Sequence, residues 1–220
     1  NNLNKFFEAL QTVLQLIEEE TPLRDENLGE QLLRNGVIKP GREGLTIEEY
    51  LLEQSAKTPS NRGYHTAARE TIKFFKLIGF LIVYDNKSGE LTPSAIQILS
   101  IPDENIRKEL WRNAFIQLGV EGTDGEISHP YRILLKLVQD KSGIETKKLM
   151  LALEAENDSI EEYERIIELS ELSLEEILES TGTSVSMSRN AVKILPGIAE
   201  QLGDIVRRGN NAFPIGRIVI

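Results

Sequence analysis

Two segments of this chain share one order of elements, and that order restricts the fold more than any other feature. Residues 71–92 read TIKFFKLIGFLIVYDNKSGELT, and residues 196–216 read PGIAEQLGDIVRRGNNAFPIG. In each segment a helical run ends at a glycine, Gly79 or Gly203, and a short β-branched run and a polar turn follow. Glycine closes a helix in the left-handed conformation at little steric cost, and the polar turn is typical of a β-hairpin. The chain is therefore predicted to contain two helix–hairpin units.

Apolar residues at helical spacing predict helices over most of the remaining chain. Thr46 and Glu49 have the spacing of a capping box, and Asp103 is predicted to cap another helix. One predicted helix follows the turn at residues 58–60 and ends at Ile78. The others cover residues 3–19, 27–35, 46–56, 93–99, 103–118, 131–140, 145–153 and 159–169. The expected fold class is mainly α with small β-hairpins, arranged as tandem winged helix-turn-helix modules.

Three segments are expected within this fold. The glycine- and acid-rich run GVEGTDGEIS at residues 119–128 indicates a boundary between two modules. Residues 1–45 are interpreted as an N-terminal helical extension that packs on the first module, residues 46–125 as the first winged-helix module, and residues 126–220 as the second.

The net charge of −10 is located in one part of the chain. Residues 151–180 contain eleven acids and a single base, Arg165, so they carry the whole of that charge and the other residues sum to zero. Within the remainder, residues 57–76 carry +4 and residues 189–217 carry +3. Both positive stretches overlap the helix–hairpin units. DNA-binding proteins neutralise phosphate groups with basic side chains, so these units are where such side chains would be needed.

A helix-turn-helix is predicted before the second hairpin. The run from Leu174 to Gly182 has the pattern of a helix closed by glycine, and the segment from Thr183 to Ile194 follows as a capped helix. Pro196 is expected to kink or interrupt that second helix. The first residues of such a helix can meet base edges in the major groove, and this predicts DNA contacts from Ser186, Ser188, Arg189, Asn190 and Lys193.

The residues from Gly63 to Val138, with LIGFLIVY, the NKSGELT turn, IPDENIRKELWRNAF and ISHPYRILLKLV, resemble the recognition part of type IIS restriction endonucleases of the FokI and AlwI kind. The resemblance continues through residues 158–169 and the second hairpin. It implies winged-helix subdomains that read a short asymmetric DNA site beside a separate metal-dependent nuclease domain. The residues that it places on the first recognition helix and its hairpin are Arg62, Tyr64, His65, Arg69 and Lys87.

Phosphate contacts are expected from Lys73, Lys87, Arg207 and Arg208, which would set the register on DNA without reading its sequence. The partners implied are double-stranded DNA and a nuclease domain or subunit, in cis or in trans. No cofactor is expected in this chain, whereas a divalent metal, Mg²⁺, is expected for the nuclease part.

Two letter matches to a nuclease motif are interpreted as ordinary helix features. Pro102-Asp103 and Glu145-Thr146-Lys147 match the letters of a PD…(D/E)xK site. Asp103 stands where a helix cap belongs, and Glu145 is expected in the first turn of a helix, where acidic residues are favoured. No catalytic or metal-binding residue is therefore predicted in this chain.

Composition excludes several other classes of site. The chain has no Cys, so it has no disulfide framework and no thiolate metal site, and it contains neither a signal peptide nor a long apolar run. A cytoplasmic protein is expected. Two alternatives to a restriction-enzyme recognition module fit the same pattern: a tandem winged-helix regulator of transcription or replication, and a protein-interaction scaffold whose acidic helices bind a basic partner.

Overall fold

A computed structural model of the chain describes residues 3–123, 125–183 and 185–216, and of residues 185–193 it describes only the backbone. It is mainly helical, with small antiparallel sheets of two or three strands. The helices are α1 (Leu3–Glu18), α2 (Asp25–Arg34), α3 (Ile47–Ser55), α4 (Gly63–Leu77), α5 (Pro93–Ser100), α6 (Glu104–Ile116), α7 (Pro130–Asp140), α8 (Ile160–Glu171), α9 (Leu174–Thr181) and α10 (Val185–Leu202), with 3₁₀ helices at Pro59–Asn61 and Thr146–Leu153. The strands are β1 (Leu81–Val83), β2 (Gly89–Leu91), β3 (Val120–Glu121), β4 (Ile127–Ser128), β5 (Ile144–Glu145), β6 (Ile205–Arg208) and β7 (Asn211–Pro214). No helix in these described ranges is long and apolar enough to cross a membrane.

The chain divides into two compact units at a point inside α6. One unit is Asn4–Leu110, and the other is Trp111–Ile220 together with Leu3. Within the segment 119–128, which the sequence marks as a boundary, β3 and β4 pair with each other in the second unit, and Val120 lies opposite Ser128. The division into segments 1–45, 46–125 and 126–220 stays a prediction about functional modules.

The core of the first unit lies where α2 packs against α4. Gly29 of α2 lies so close to α4 that a Cβ atom there would be 2.5 Å from the Tyr64 carbonyl oxygen. Ala68 and Phe75 of α4 are fully buried, as expected for the apolar face of an amphipathic helix. This close approach fixes which face of α4 is left for solvent.

In the second unit α7 is the central helix. Its residues Tyr131, Leu134, Leu135, Leu137 and Val138 are all fully buried, so α7 is covered on most of its circumference. It packs against the 3₁₀ helix Thr146–Leu153, β7 and α10.

The predicted helix caps are confirmed. The Thr46 side chain accepts a hydrogen bond from the Glu49 amide, and the Glu49 carboxylate accepts one from the Thr46 amide at 2.8 Å. Asp103 Oδ1 accepts hydrogen bonds from the amides of Asn105 and Ile106, at 2.8 and 3.1 Å, at the start of α6. These short-range pairs satisfy amide groups that a helix leaves open at its N-terminus.

The first helix–hairpin unit is present as predicted. Gly79 is left-handed, with φ of +72°, and the Phe80 amide donates to the Phe75 carbonyl at 2.8 Å. This is the Schellman closure of α4. After the hairpin, the Thr92 amide donates to the Phe80 carbonyl at 3.0 Å, and Phe80 itself is buried.

The second helix–hairpin unit repeats these bonds. Gly203 has φ of +83°, and the Asp204 amide donates to the Ala199 carbonyl at 2.9 Å. The Ile215 amide then donates to the Asp204 carbonyl at 3.0 Å. Equivalent closures therefore end α4 and α10, as the repeated sequence pattern predicts.

The two hairpins differ in the sheet around them. The first is a two-stranded sheet in which Ile82 of β1 lies opposite Glu90 of β2. The second belongs to a three-stranded sheet of order β5-β7-β6, in which Ala212 of β7 lies opposite Arg207 of β6 and opposite Ile144 of β5.

Two local expectations are wrong. Glu145 is expected in the first turn of a helix, but it lies in β5 opposite Asn211. The helix begins one residue later, as the 3₁₀ helix Thr146–Leu153, because Glu145 pairs with a strand. The expected interruption at Pro196 is absent, since α10 continues through it to Leu202, whereas the kink expected there stays a prediction. The pairing partner of Glu145 is 66 positions away, so local propensity does not reveal it.

Candidate nucleic-acid interface

A groove of about 600 Å³ runs beside α4 in the first unit. We call it the α4 groove. Helix α4 contributes one wall, the β1–β2 hairpin a second, and the α1–α2 connection with the start of α2 a third. Its charged and polar lining residues are His65, Arg69, Lys73 and Lys76 of α4, Tyr84, Asp85 and Lys87 of the hairpin, and Arg24, Asp25 and Glu26 of the third wall.

Helical spacing brings the α4 side chains together. His65, Arg69, Lys73 and Lys76 lie at intervals of four, four and three residues, which places them along one face of the helix. Lys73 and Lys76 are exposed, whereas His65 is buried at the base of this face. The sequence of α4 thus dictates one basic wall of the groove.

The groove has a positive balance in an acidic chain. Five of its lining residues are basic and three are acidic, which gives a net charge of +2 with His65 neutral, whereas the whole chain carries −10. A basic concave surface attracts anions such as phosphate groups.

Arg69 is held at the edge of the groove by several acceptors. Its Nη1 donates to Asp25 Oδ2 at 2.9 Å, and its Nη2 donates to Thr66 Oγ1 at 3.0 Å and to the Ser60 carbonyl at 3.4 Å. Arg69 and Asp25 side chains are 35% and 36% exposed, so the pair is accessible from the groove. The guanidinium group is therefore oriented before any ligand arrives.

The lysines of the groove are less constrained. Lys73 lies 3.2 Å from the Glu70 carboxylate in an exposed pair, and such a pair contributes little to stability. Among the residues whose side chains the structure describes, Lys76 and Lys87 have no ion-pair partner. Both ammonium groups are free to bind an anion.

The tip of the β1–β2 hairpin is anchored to the α1–α2 connection. The Leu23 amide donates to the Lys87 carbonyl at 2.7 Å, and Lys87 adopts a left-handed φ of +67°. Next to it, a Cβ atom on Gly89 would meet the buried Leu23 side chain at 2.3 Å. This contact holds the hairpin tip, with the exposed Lys87 side chain at the groove.

Two residues predicted on the first recognition helix, Tyr64 and Arg62, do not line the groove. Tyr64 is buried, packs in a cluster with Leu33 and Tyr50, and lies on the face of α4 that α2 covers, so its side chain does not reach the groove. Arg62 donates to the carbonyl groups of Lys57 and Ser55, where it closes the end of α3.

His65 lies under the groove. It is 4% exposed, and its Nε2 atom is buried without a hydrogen-bond partner. Its ring packs edge-on against the Tyr64 ring, with 4.5 Å between the ring centroids. Burial, and after it the positive charge of Arg62, lower the pKa of His65. The ring is therefore neutral at physiological pH and does not itself supply positive charge.

The second predicted recognition helix is described in part. Helix α9 ends at Gly182, which is left-handed with φ of +66°, and α10 begins at Val185. The predicted contact residues Ser186, Ser188, Arg189, Asn190 and Lys193 belong to α10, and their side chains lie outside the described part of the chain.

The two arginines of the second hairpin have different surroundings. Arg207 forms an ion pair with Glu200, in which Arg207 Nε donates to Glu200 Oε2 at 2.9 Å, and this hydrogen bonding lowers the pKa of Glu200. The Arg208 guanidinium lies 5.7 Å from the centre of the Phe213 ring, and Arg208 is exposed. Arg208 is thus the more available of the two for a phosphate.

The nuclease-like letters do not form a metal centre in the described residues. Asp103 caps α6 with its carboxylate, and Glu145 lies in β5. Residues 3–123, 125–183 and 194–216 contain no group of three His, Asp or Glu side chains placed to hold a metal ion. We assign no step of DNA cleavage to the residues that the structure describes.

The groove contains residues that sequence reasoning missed. Lys76 follows Arg69 by seven positions, and this helical spacing was a usable signal. Arg24, Asp25 and Tyr84 join the groove through tertiary packing, and their sequence context gives no such signal.

Comparison with protein-family models finds none that matches this chain, and comparison with curated proteins finds no significant similarity.

Proposed function

We propose that this protein binds double-stranded DNA sequence-specifically, as the target-recognition part of a type II, type IIS-like restriction endonuclease. In this proposal the two helix–hairpin units are winged-helix modules. DNA cleavage belongs to a nuclease domain or subunit, in cis or in trans, with its own Mg²⁺. The resemblance of residues 63–138 and the repeated junctions support this assignment.

The observation that carries the proposal is the convergence of basic side chains from a helix and a hairpin on one groove. Arg69, Lys73 and Lys76 come from α4, and Lys87 comes from the hairpin tip. A helix and a hairpin that share a basic surface can divide the contacts to DNA between them, with helix side chains at the bases and flanking cations at the phosphates.

The roles follow from how each side chain is held. Lys73, Lys76 and Lys87 are flexible and exposed, so we assign them to phosphates. Arg69 is oriented by three acceptors, so we assign it to a base edge. Arg208 adds a phosphate contact from the second hairpin.

Selection from a randomised duplex library tests the proposal, at a salt concentration of about 150 mM that suppresses non-specific binding. One short asymmetric motif is the expected result. A palindromic motif bound by a dimer would favour a regulator of transcription or replication. Absence of any enriched motif would overturn the proposal and favour the scaffold, in which the acidic helices α8 and α9 bind a basic partner.

The lysine assignments have their own test, by titration of the selected duplex at several salt concentrations. Lys73→Ala and Lys76→Ala should each weaken binding to all sequences alike and reduce the slope of log affinity against log salt by about 1. Lys39→Ala is the matched control, because Lys39 is exposed in the same unit and does not line the groove. Equal effects of all three substitutions would mean that only net charge matters.

A further inference from the structure

The ion pair between Arg69 and Asp25 joins two helices across 44 positions of sequence at the edge of the α4 groove. Asp25 is the first residue of α2, where a carboxylate is favoured by the helix dipole. Its Oδ2 atom accepts from Arg69 Nη1, and both side chains remain about one-third exposed. The pair is therefore accessible to a ligand in the groove.

The hydrogen bonds of Arg69 leave part of its donor capacity open. Arginine has five N–H donors, and the bonds to Asp25, Thr66 and Ser60 use three of them. Within the described residues, the Nε–H group has no acceptor. The Nε–H group and one Nη1–H group thus remain, on different edges of the guanidinium. Either can donate a single hydrogen bond to O6 or N7 of guanine, the two acceptors that this base presents in the major groove.

We propose that Asp25 is the positioning residue that holds Arg69 for reading one G·C base pair. This inference rests on the proposed function and deepens it. A guanidinium that is already oriented loses less rotational freedom on binding a base edge than a free side chain does. The carboxylate also fixes the guanidinium plane, and with it the direction in which the remaining donors point.

The simpler role for the same pair is to join α2 to α4. The two roles predict different changes in DNA selection. A purely structural pair affects the amount of folded protein and leaves preferences at every base position unchanged. A positioning pair affects one base position, and it affects the same position as loss of Arg69 does.

The experiment is library selection at about 150 mM salt with the full 220-residue chain and its variants Arg69→Ala, Asp25→Asn and Asp25→Glu. Arg69→Ala is expected to reduce discrimination at one G·C position by roughly 10-fold, the effect of losing one hydrogen bond from a charged donor. Asp25→Asn should reduce discrimination at that same position while affinity for random duplex rises, because a negative charge leaves the groove. Asp25→Glu keeps the carboxylate and should restore part of the discrimination.

Glu26→Gln is the matched control. Glu26 lines the same groove and carries the same charge, and within the part of the chain that the structure describes it forms no hydrogen bond or ion pair with Arg69. It should raise affinity for all duplexes and leave every base preference intact. Circular dichroism and thermal melting of each variant verify that it is folded.

The outcomes separate the two proposals. If the wild-type chain enriches no motif, the proposed function fails and this inference fails with it. If the wild-type chain enriches a motif and Arg69→Ala leaves all positions unchanged, DNA recognition stands and the role of Arg69 is wrong. If Arg69→Ala alters one position and Asp25→Asn alters none, Asp25 is not a positioning residue.

Discussion

The Tyr131 hydroxyl donates a hydrogen bond to the Asp204 carboxylate at 2.7 Å in the interior of the second unit. The other carboxylate oxygen accepts from Arg112 Nε, also at 2.7 Å. Asp204 follows Gly203 at the end of α10, in the position that Phe80 takes after Gly79. One helix–hairpin junction therefore buries an aromatic ring, and the other buries a carboxylate with two partners from α6 and α7.

Asp204→Ala should destabilise the protein by about 3–5 kcal/mol, because it leaves the Tyr131 hydroxyl and the half-buried Arg112 guanidinium without this acceptor. Tyr131→Phe removes a single hydrogen bond and should cost about 1 kcal/mol. Urea unfolding measures both values. Equal losses for the two variants would contradict a central role for the carboxylate.

Stability should fall as the pH is lowered through the range near 6.5, because the pKa of His65 is lowered in the folded protein. The unfolded chain, with an ordinary histidine pKa of about 6.5, then binds more protons than the native state does. The contribution of His65 is complete above that value and declines as the pH falls through the folded pKa. Urea midpoints at pH 7.5 and 6.0 test this. His65→Phe should show a smaller difference between the two midpoints, and an unchanged difference would assign the effect to other groups.

Gly29→Ala should destabilise the first unit, although alanine is the better helix former. Helix propensity alone favours alanine by about 1 kcal/mol. The added Cβ would lie 2.5 Å from the Tyr64 carbonyl oxygen, so α2 and α4 must separate, at a cost of about 1–3 kcal/mol. Gly197→Ala in α10 is the control, because nothing lies within 4 Å of its Cβ position. Chemical denaturation should show opposite signs for the two substitutions, and stabilisation by Gly29→Ala would refute the close contact.

Thr46→Ala should destabilise the protein by about 1 kcal/mol through loss of the α3 capping box. Thr46→Ser retains the hydroxyl and should be close to wild type. The backbone and side chain of Thr46 hydrogen-bond to Glu49 and lower its pKa, so the difference between the two variants should shrink as the pH falls below the ordinary glutamate value. Thermal melts at neutral and acidic pH measure that change.

The structural features that could be predicted from the sequence are those formed by side chains and backbone groups within a few residues of each other. The Thr46–Glu49 box, the Asp103 cap and the left-handed glycines at 79 and 203 are confirmed, because caps and turns depend on local side-chain chemistry. For the candidate site, the resemblance pointed to Arg69 and Lys87 and the basic stretch at residues 57–76 to Lys73, and the structure places all three at the α4 groove.

The sequence by itself thus determined most of the helices, the capped starts of α3 and α6, and the two helix–hairpin junctions. Only tertiary structure decided that α2 covers the Tyr64 face of α4, that Asp25 orients Arg69, and that Glu145 joins a strand. These contacts join residues between 35 and 66 positions apart, as Gly29 with Tyr64 and Glu145 with Asn211 illustrate. Their stability comes from burial and from hydrogen bonds made across the fold, which local propensity does not encode.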